Sequence, residues 1–99
     1  MSVIVQYTKK AWKSRQKLNA SVRAILEALE EDMRATKGKP LGRGWHNLGP
    51  VRQYADNAYH CHLTRDIVAL WVIVESEDGN IKITVCTVEY VGTRGKAPY

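Results

Sequence analysis

The 99-residue sequence is short of several things, and each shortage narrows its reading. No apolar run approaches the ~18 residues that a membrane span needs. The first ten residues lack the long apolar stretch of a secretory signal peptide. There are two cysteines, Cys61 and Cys86, too few for a disulfide scaffold. With no export signal, the expected compartment is the reducing cytoplasm, with both thiols packed as small hydrophobes. No internal repeat or low-complexity tract appears. The length itself excludes a deep, self-contained substrate chamber, since independent domains run to about 100–150 residues. One domain, 1–99, is expected.

Acid is the other shortage. Residues 1–26 hold Lys9, Lys10, Lys13, Arg15, Lys17 and Arg23 with no Asp or Glu. Residues 34–52 hold Arg34, Lys37, Lys39, Arg43 and Arg52, again with none. Between them crowd Glu27, Glu30, Glu31 and Asp32. The net charge is +5, and a positive surface on so small a body favours a polyanion: nucleic acid, a phospholipid surface or an acidic protein. The 44% hydrophobic content is too high for a disordered basic tail.

What is present reads as alternating elements. Met1–Tyr7, with Val3, Ile4 and Val5, is β-branched and reads as a strand. Lys9–Leu18 reads as a short helix capped by the Thr8 hydroxyl. Asn19 or Ser21 caps a second helix, in which Val22, Ile25, Leu26, Leu29 and Met33 form one apolar stripe. The acids of that helix lie late in it, against the macrodipole, so something other than helix electrostatics selects them. Residues 37–49, with four glycines and a proline, read as a loop that nevertheless carries Trp45 and Leu48. Three strands follow, from Ala58, Asp66 and Ile81, the last two joined at Glu77–Asn80 by hairpin chemistry. The order β-α-α-β-β-β implies an α+β fold, with two N-terminal helices on a small antiparallel sheet.

All three histidines, His46, His60 and His62, lie within 17 positions. His60 and His62 share one face of a strand, and Asp66 follows in the next turn. Imidazole moves protons near neutral pH, and a carboxylate can fix its tautomer. For any one histidine, a packed, hydrogen-bonded ring is the ordinary reading. His-x-His on a strand also suits zinc, but no CxxC pair or HExxH motif supports a metal. The final strand runs through Gly92 into Arg94, Lys96 and Tyr99. An arginine forks onto phosphate and a tyrosine stacks on a base.

Taken in order, His46-Asn-Leu-Gly49, Tyr59-His-Cys-His62-Leu, Asp66, Ala69-Leu-Trp-Val-Ile and Gly92-Thr-Arg94 resemble the RelE/ParE superfamily of type II toxins, and the YafQ-like mRNA interferases most of all. The likeness spans nearly the whole chain. His46 matches a histidine in an H-x-L segment of that branch, and His62 with Asp66 matches its H-x-x-x-D. Its closing G-T-H is here Gly92-Thr93-Arg94. That departure leans towards RelE, where an arginine and a later tyrosine serve catalysis, roles open to Arg94 and Tyr99.

The resemblance implies a cytoplasmic, metal-independent endoribonuclease without cofactors, cutting mRNA in the ribosomal A site and held by a cognate antitoxin. His62, oriented by Asp66, and His46 would be the acid–base pair, in an order the sequence leaves open. Arg94 would neutralise the phosphate, and Tyr99 would position a base. Lys37, Lys39, Arg43, Arg52, His60 and Lys96 would hold RNA or ribosomal RNA. Three other readings stay open: a ParE-like inhibitor of DNA gyrase, a non-catalytic nucleic-acid-binding module, and a relic inactivated by Arg94.

Overall fold

The computed structural model describes residues 2–40 and 44–99. Strand β1 (Ser2–Tyr7) leads into helix α1 (Lys9–Gln16) and helix α2 (Ala20–Ala35). Strands β2 (His46–Pro50), β3 (Ala58–His62), β4 (Ile67–Asp78) and β5 (Ile81–Thr93) follow, and a 3-10 turn, Arg94–Lys96, closes the chain's regular structure.

The helix starts form where capping side chains stand. The Thr8 hydroxyl accepts from the Ala11 N–H at 3.1 Å, and the Asn19 side chain accepts from the Val22 N–H at 2.9 Å. Leu26, Leu29 and Met33 of the α2 stripe are fully buried, and Val22 and Ile25 flank them. They pack, with Ala11, on Cys61, Ala69, Trp71, Ile73, Cys86, Val88 and Val91 of the sheet. Each large apolar side chain so buried contributes about 1.5–3 kcal/mol. Both thiols lie in this core, and burial pushes Cys61 up to about 12 and Cys86 up to about 11.

The late acids of α2 have partners. Glu30 is buried and accepts from Tyr7 Oη, while Arg15 Nε reaches it at 3.3 Å. Arg15 also lies over the rings of Tyr7 and Trp12, at 5.6 and 5.0 Å from their centroids. Burial and the Glu30 carboxylate raise the Tyr7 phenol well above its ordinary value. Asp32 accepts from Trp45 Nε1 at 2.7 Å, which accounts for the tryptophan of the 37–49 segment.

The α+β class and the helices on one face of the sheet are as the sequence implies. Two details differ. The sheet has five strands, ordered β1-β5-β4-β3-β2, and is mixed, because β1 pairs parallel to β5. The fifth strand is β2, inside the segment read as a loop. It is an irregular edge strand: its register slips between His46 and Gly49, Asn47 has φ +53°, and Pro50 ends it. Asn, Gly and Pro are poor strand formers, and an edge position tolerates them.

The β4–β5 hairpin turns on Gly79-Asn80, with Gly79 at φ +63°, the positive-φ position of a II′ turn. Near its other end the register slips, so that Leu70 faces Tyr90 and Trp71 faces Val88, leaving Glu89 in a bulge. Paired residues share a face, so His60, Leu70 and Tyr90 point away from the helices. That second face carries its own small core of Val51, Ala58 and Leu70, against which Tyr54, Val72, Tyr90 and Tyr99 pack.

Candidate active site

The sheet edge opposite β1 gathers the histidines. His46 on β2 stands directly across from His62 on β3, and Gly49 across from His60. His60 Nδ1 donates to the Gly49 carbonyl at 3.2 Å. The His60 and His62 rings lie edge to face, with centroids 5.8 Å apart.

The β3–β4 turn and the end of β5 complete the site. Leu63 N–H donates to the Ile67 carbonyl at 2.8 Å, and Thr64 Oγ1 accepts from Ile67 N–H at 3.1 Å and from Asp66 N–H at 3.3 Å. Arg94 N–H then donates to the Asp66 carbonyl at 2.7 Å, tying the exit of β5 to this turn. The result is a cavity of about 460 Å³ lined by His46, Asn47, His62, Leu63, Thr64, Arg65 and Arg94. No lining residue is acidic. Partial burial, with the positive fields of His60, Arg94 and His46, holds His62 below the ordinary imidazole range. Its neutral form is therefore favoured, and a neutral imidazole is a proton acceptor.

Of the residues singled out from sequence, His46, His62 and Arg94 meet in this cavity, and His60 adjoins it. Asp66 needs correcting. Its side chain is exposed and has no hydrogen bond or ion pair to His62 among the described residues. Four positions on from His62 it has passed the strand end into the turn, where its main chain rather than its carboxylate is used. Tyr99 also differs from a free tail. Its ring packs on the second core and meets His60 at 5.2 Å, edge to face, and its hydroxyl is buried without a hydrogen-bond partner among the described residues.

The outlying cations do not converge. Lys37 lines a hollow with Glu75, Glu77 and Lys82, towards the far end of the hairpin. At ~3.3 Å per residue that is on the order of 25–30 Å along β4 from Ile67. Lys39 lies over the Tyr59 ring at 5.9 Å, on the helix-facing side. Arg52 is exposed in the turn beyond the other end of β2, and Lys96 lines a separate hollow with Lys10, Tyr54 and Glu89. Arg43 lies outside the described residues.

Two lining residues, Thr64 and Arg65, are not among the residues that the sequence singles out. Arg65 stands inside the H-x-x-x-D segment, where a turn cation ordinarily reads as solvated. Among the described residues no three His, Cys, Asp or Glu side chains converge as metal ligands would. No described helix is long and apolar enough to cross a membrane.

No protein-family model matches the chain, and no curated protein is similar to it in sequence. Solved structures do share its fold. A YoeB/ParE toxin from Agrobacterium tumefaciens gives a TM-score of 0.67 at 14% identity, over 95% of this chain and 99% of that one. The archaeal RelE-RelB complex from Pyrococcus horikoshii gives 0.63 at 12% identity, over 98% and 100%. The conserved hypothetical protein HP0892 from Helicobacter pylori gives 0.54 at 16% identity, over 94% and 96%. The chain has the RelE/ParE toxin fold over nearly its whole length.

Proposed function

We propose that the chain is the toxin of a toxin–antitoxin pair, an endoribonuclease that cleaves mRNA on the ribosome. The observation that carries this reading is the acid-free cavity holding His46, His62 and Arg94. Cleavage of RNA by its own 2′-hydroxyl needs little more. The 2′-hydroxyl is the nucleophile, so the protein must take one proton, stabilise the crowded phosphorane and return one proton to the leaving oxygen.

His62, biased towards its neutral form, is the base that removes the 2′-hydroxyl proton. The O2′–P bond forms as the P–O5′ bond breaks. His46, across the strand pair from His62, donates the proton to O5′. The products are a 2′,3′-cyclic phosphate and a 5′-hydroxyl. Arg94 offers its fork of N–H donors to the non-bridging oxygens as their charge grows. His60, held by the Gly49 carbonyl and the Tyr99 ring, supports the position of His62. The cavity lies at an open sheet edge, and the ribosome would supply its other wall. One structure with this fold is a RelE-RelB complex, and a basic active face is a natural dock for an acidic antitoxin helix.

Inducing the chain in cells and mapping mRNA 5′ ends tests the reading. Cuts at a fixed codon position are expected, and they should vanish in His46→Ala, His62→Ala and Arg94→Ala variants that remain folded. Inhibition of gyrase supercoiling without mRNA cuts would replace this reading with the ParE-like one.

A further inference from the structure

Arg65 does not belong to the three-residue set just described, yet it lines the same cavity as Arg94. The two are mechanically coupled. Arg94 N–H is bonded to the carbonyl of Asp66, the residue after Arg65, so both side chains leave one rigid knot of backbone. Thr64 sets the geometry of that knot: its Oγ1 accepts two turn N–H groups and keeps its own hydroxyl hydrogen to donate. Arg65 is exposed and makes no ion pair or side-chain hydrogen bond among the described residues. Asp66 is its chain neighbour but does not line the cavity.

Two guanidiniums in one hollow with no carboxylate repel each other, and anions relieve that repulsion. The cavity, at about 460 Å³, is several times larger than a single phosphate group needs. The two arginines are also not equivalent. Arg94 is among the positive groups acting on His62, which sets it beside the reacting centre.

We infer that Arg65, with the Thr64 hydroxyl, forms a second phosphate subsite that holds the phosphodiester adjoining the one Arg94 holds. The inference rests on the RNA-cleaving reading and adds a substrate requirement to it. The enzyme recognises two consecutive phosphates, so it favours the interior of a single strand over a dinucleotide.

The test uses fully 2′-O-methylated oligonucleotides, which cannot be cut, carrying one, two or three phosphates. Binding by the whole chain is measured by fluorescence anisotropy across a salt series. Wild type should gain affinity from one phosphate to two. Arg65→Gln should lose that gain, bind the longer oligonucleotides on the order of tenfold more weakly, and lower the salt slope by about 0.7, one single-strand contact. Arg65→Lys should keep the slope. An Arg65→Gln variant with wild-type gain and slope overturns the subsite while leaving cellular mRNA cuts intact. A wild-type chain that binds none of the oligonucleotides and makes no cuts overturns both readings.

Discussion

Single side chains set the pH behaviour and the division of labour in the cavity. His62 is held below the ordinary imidazole value of 6.5 by burial first, then by His60, Arg94 and His46. A base must be neutral, so the acid limb of the cleavage pH profile should lie below 6.5. In Arg94→Ala one repelling charge is gone, and an NMR titration of His62 should show its pKa rise. The same sign governs stability. With its folded pKa depressed, His62 binds fewer protons in the native state, so its contribution to stability falls as pH drops through the window below 6.5. Tyr99 separates two roles. Its hydroxyl is buried and has no hydrogen-bond partner among the described residues, while its ring packs on His60. Tyr99→Phe should therefore keep cleavage and gain up to about 1 kcal/mol in denaturant unfolding, whereas Tyr99→Ala should lose activity. The histidine cluster was legible from spacing alone. Asp66 stands in the turn, as the sequence implies, but its pairing with His62 rests on the H-x-x-x-D resemblance, and spacing along a turn does not aim a carboxylate at a strand residue.

Among the elements, the segment between α2 and β2 shows how much position matters. Gly38 sits at φ +84°, its carbonyl accepts from Trp71 Nε1 at 2.8 Å, and a Cβ there would stand 2.5 Å from Cys86 Sγ. Gly38→Ala adds backbone strain to a clash in the main core, and a loss of about 2 kcal/mol or more is expected. For a domain of this size each kcal/mol lowers Tm by about 4–8 °C, which calorimetry would read. The caps Thr8 and Asn19, the α2 stripe and the Gly79 hairpin are local, and local chemistry announces them. β2 is different. It exists because β3 offers a free edge, and Asn47, Gly49 and Pro50 carry no strand signal of their own. Lys37 and Lys39 mislead for the related reason that closeness along a glycine-rich segment is not closeness in space. The late acids of α2 became intelligible only when Arg15, Tyr7 and Trp45 were seen to meet them.

Across the whole molecule, the cations are dispersed over several separate hollows. The cavity lies by β2 and β3, Lys10 of α1 lines a separate hollow with Lys96 and Glu89, and Lys37 lines another towards the far end of the hairpin. The net +5 is thus not one patch, which composition alone did not reveal. The parallel pairing of β1 with β5 joins Ser2 to Ile83 and Tyr7 to Val88, across most of the chain. Such non-local pairing is slow to nucleate, so stopped-flow refolding should take milliseconds to seconds rather than microseconds.

That pairing also imposes an order on biosynthesis. β1 is made first and waits unpaired until β5 follows it, and Arg94 comes later still. A nascent chain therefore has its histidines long before it has the guanidinium that would hold a phosphate. On the RNA-cleaving reading, a chain built this way is disarmed throughout most of its own translation.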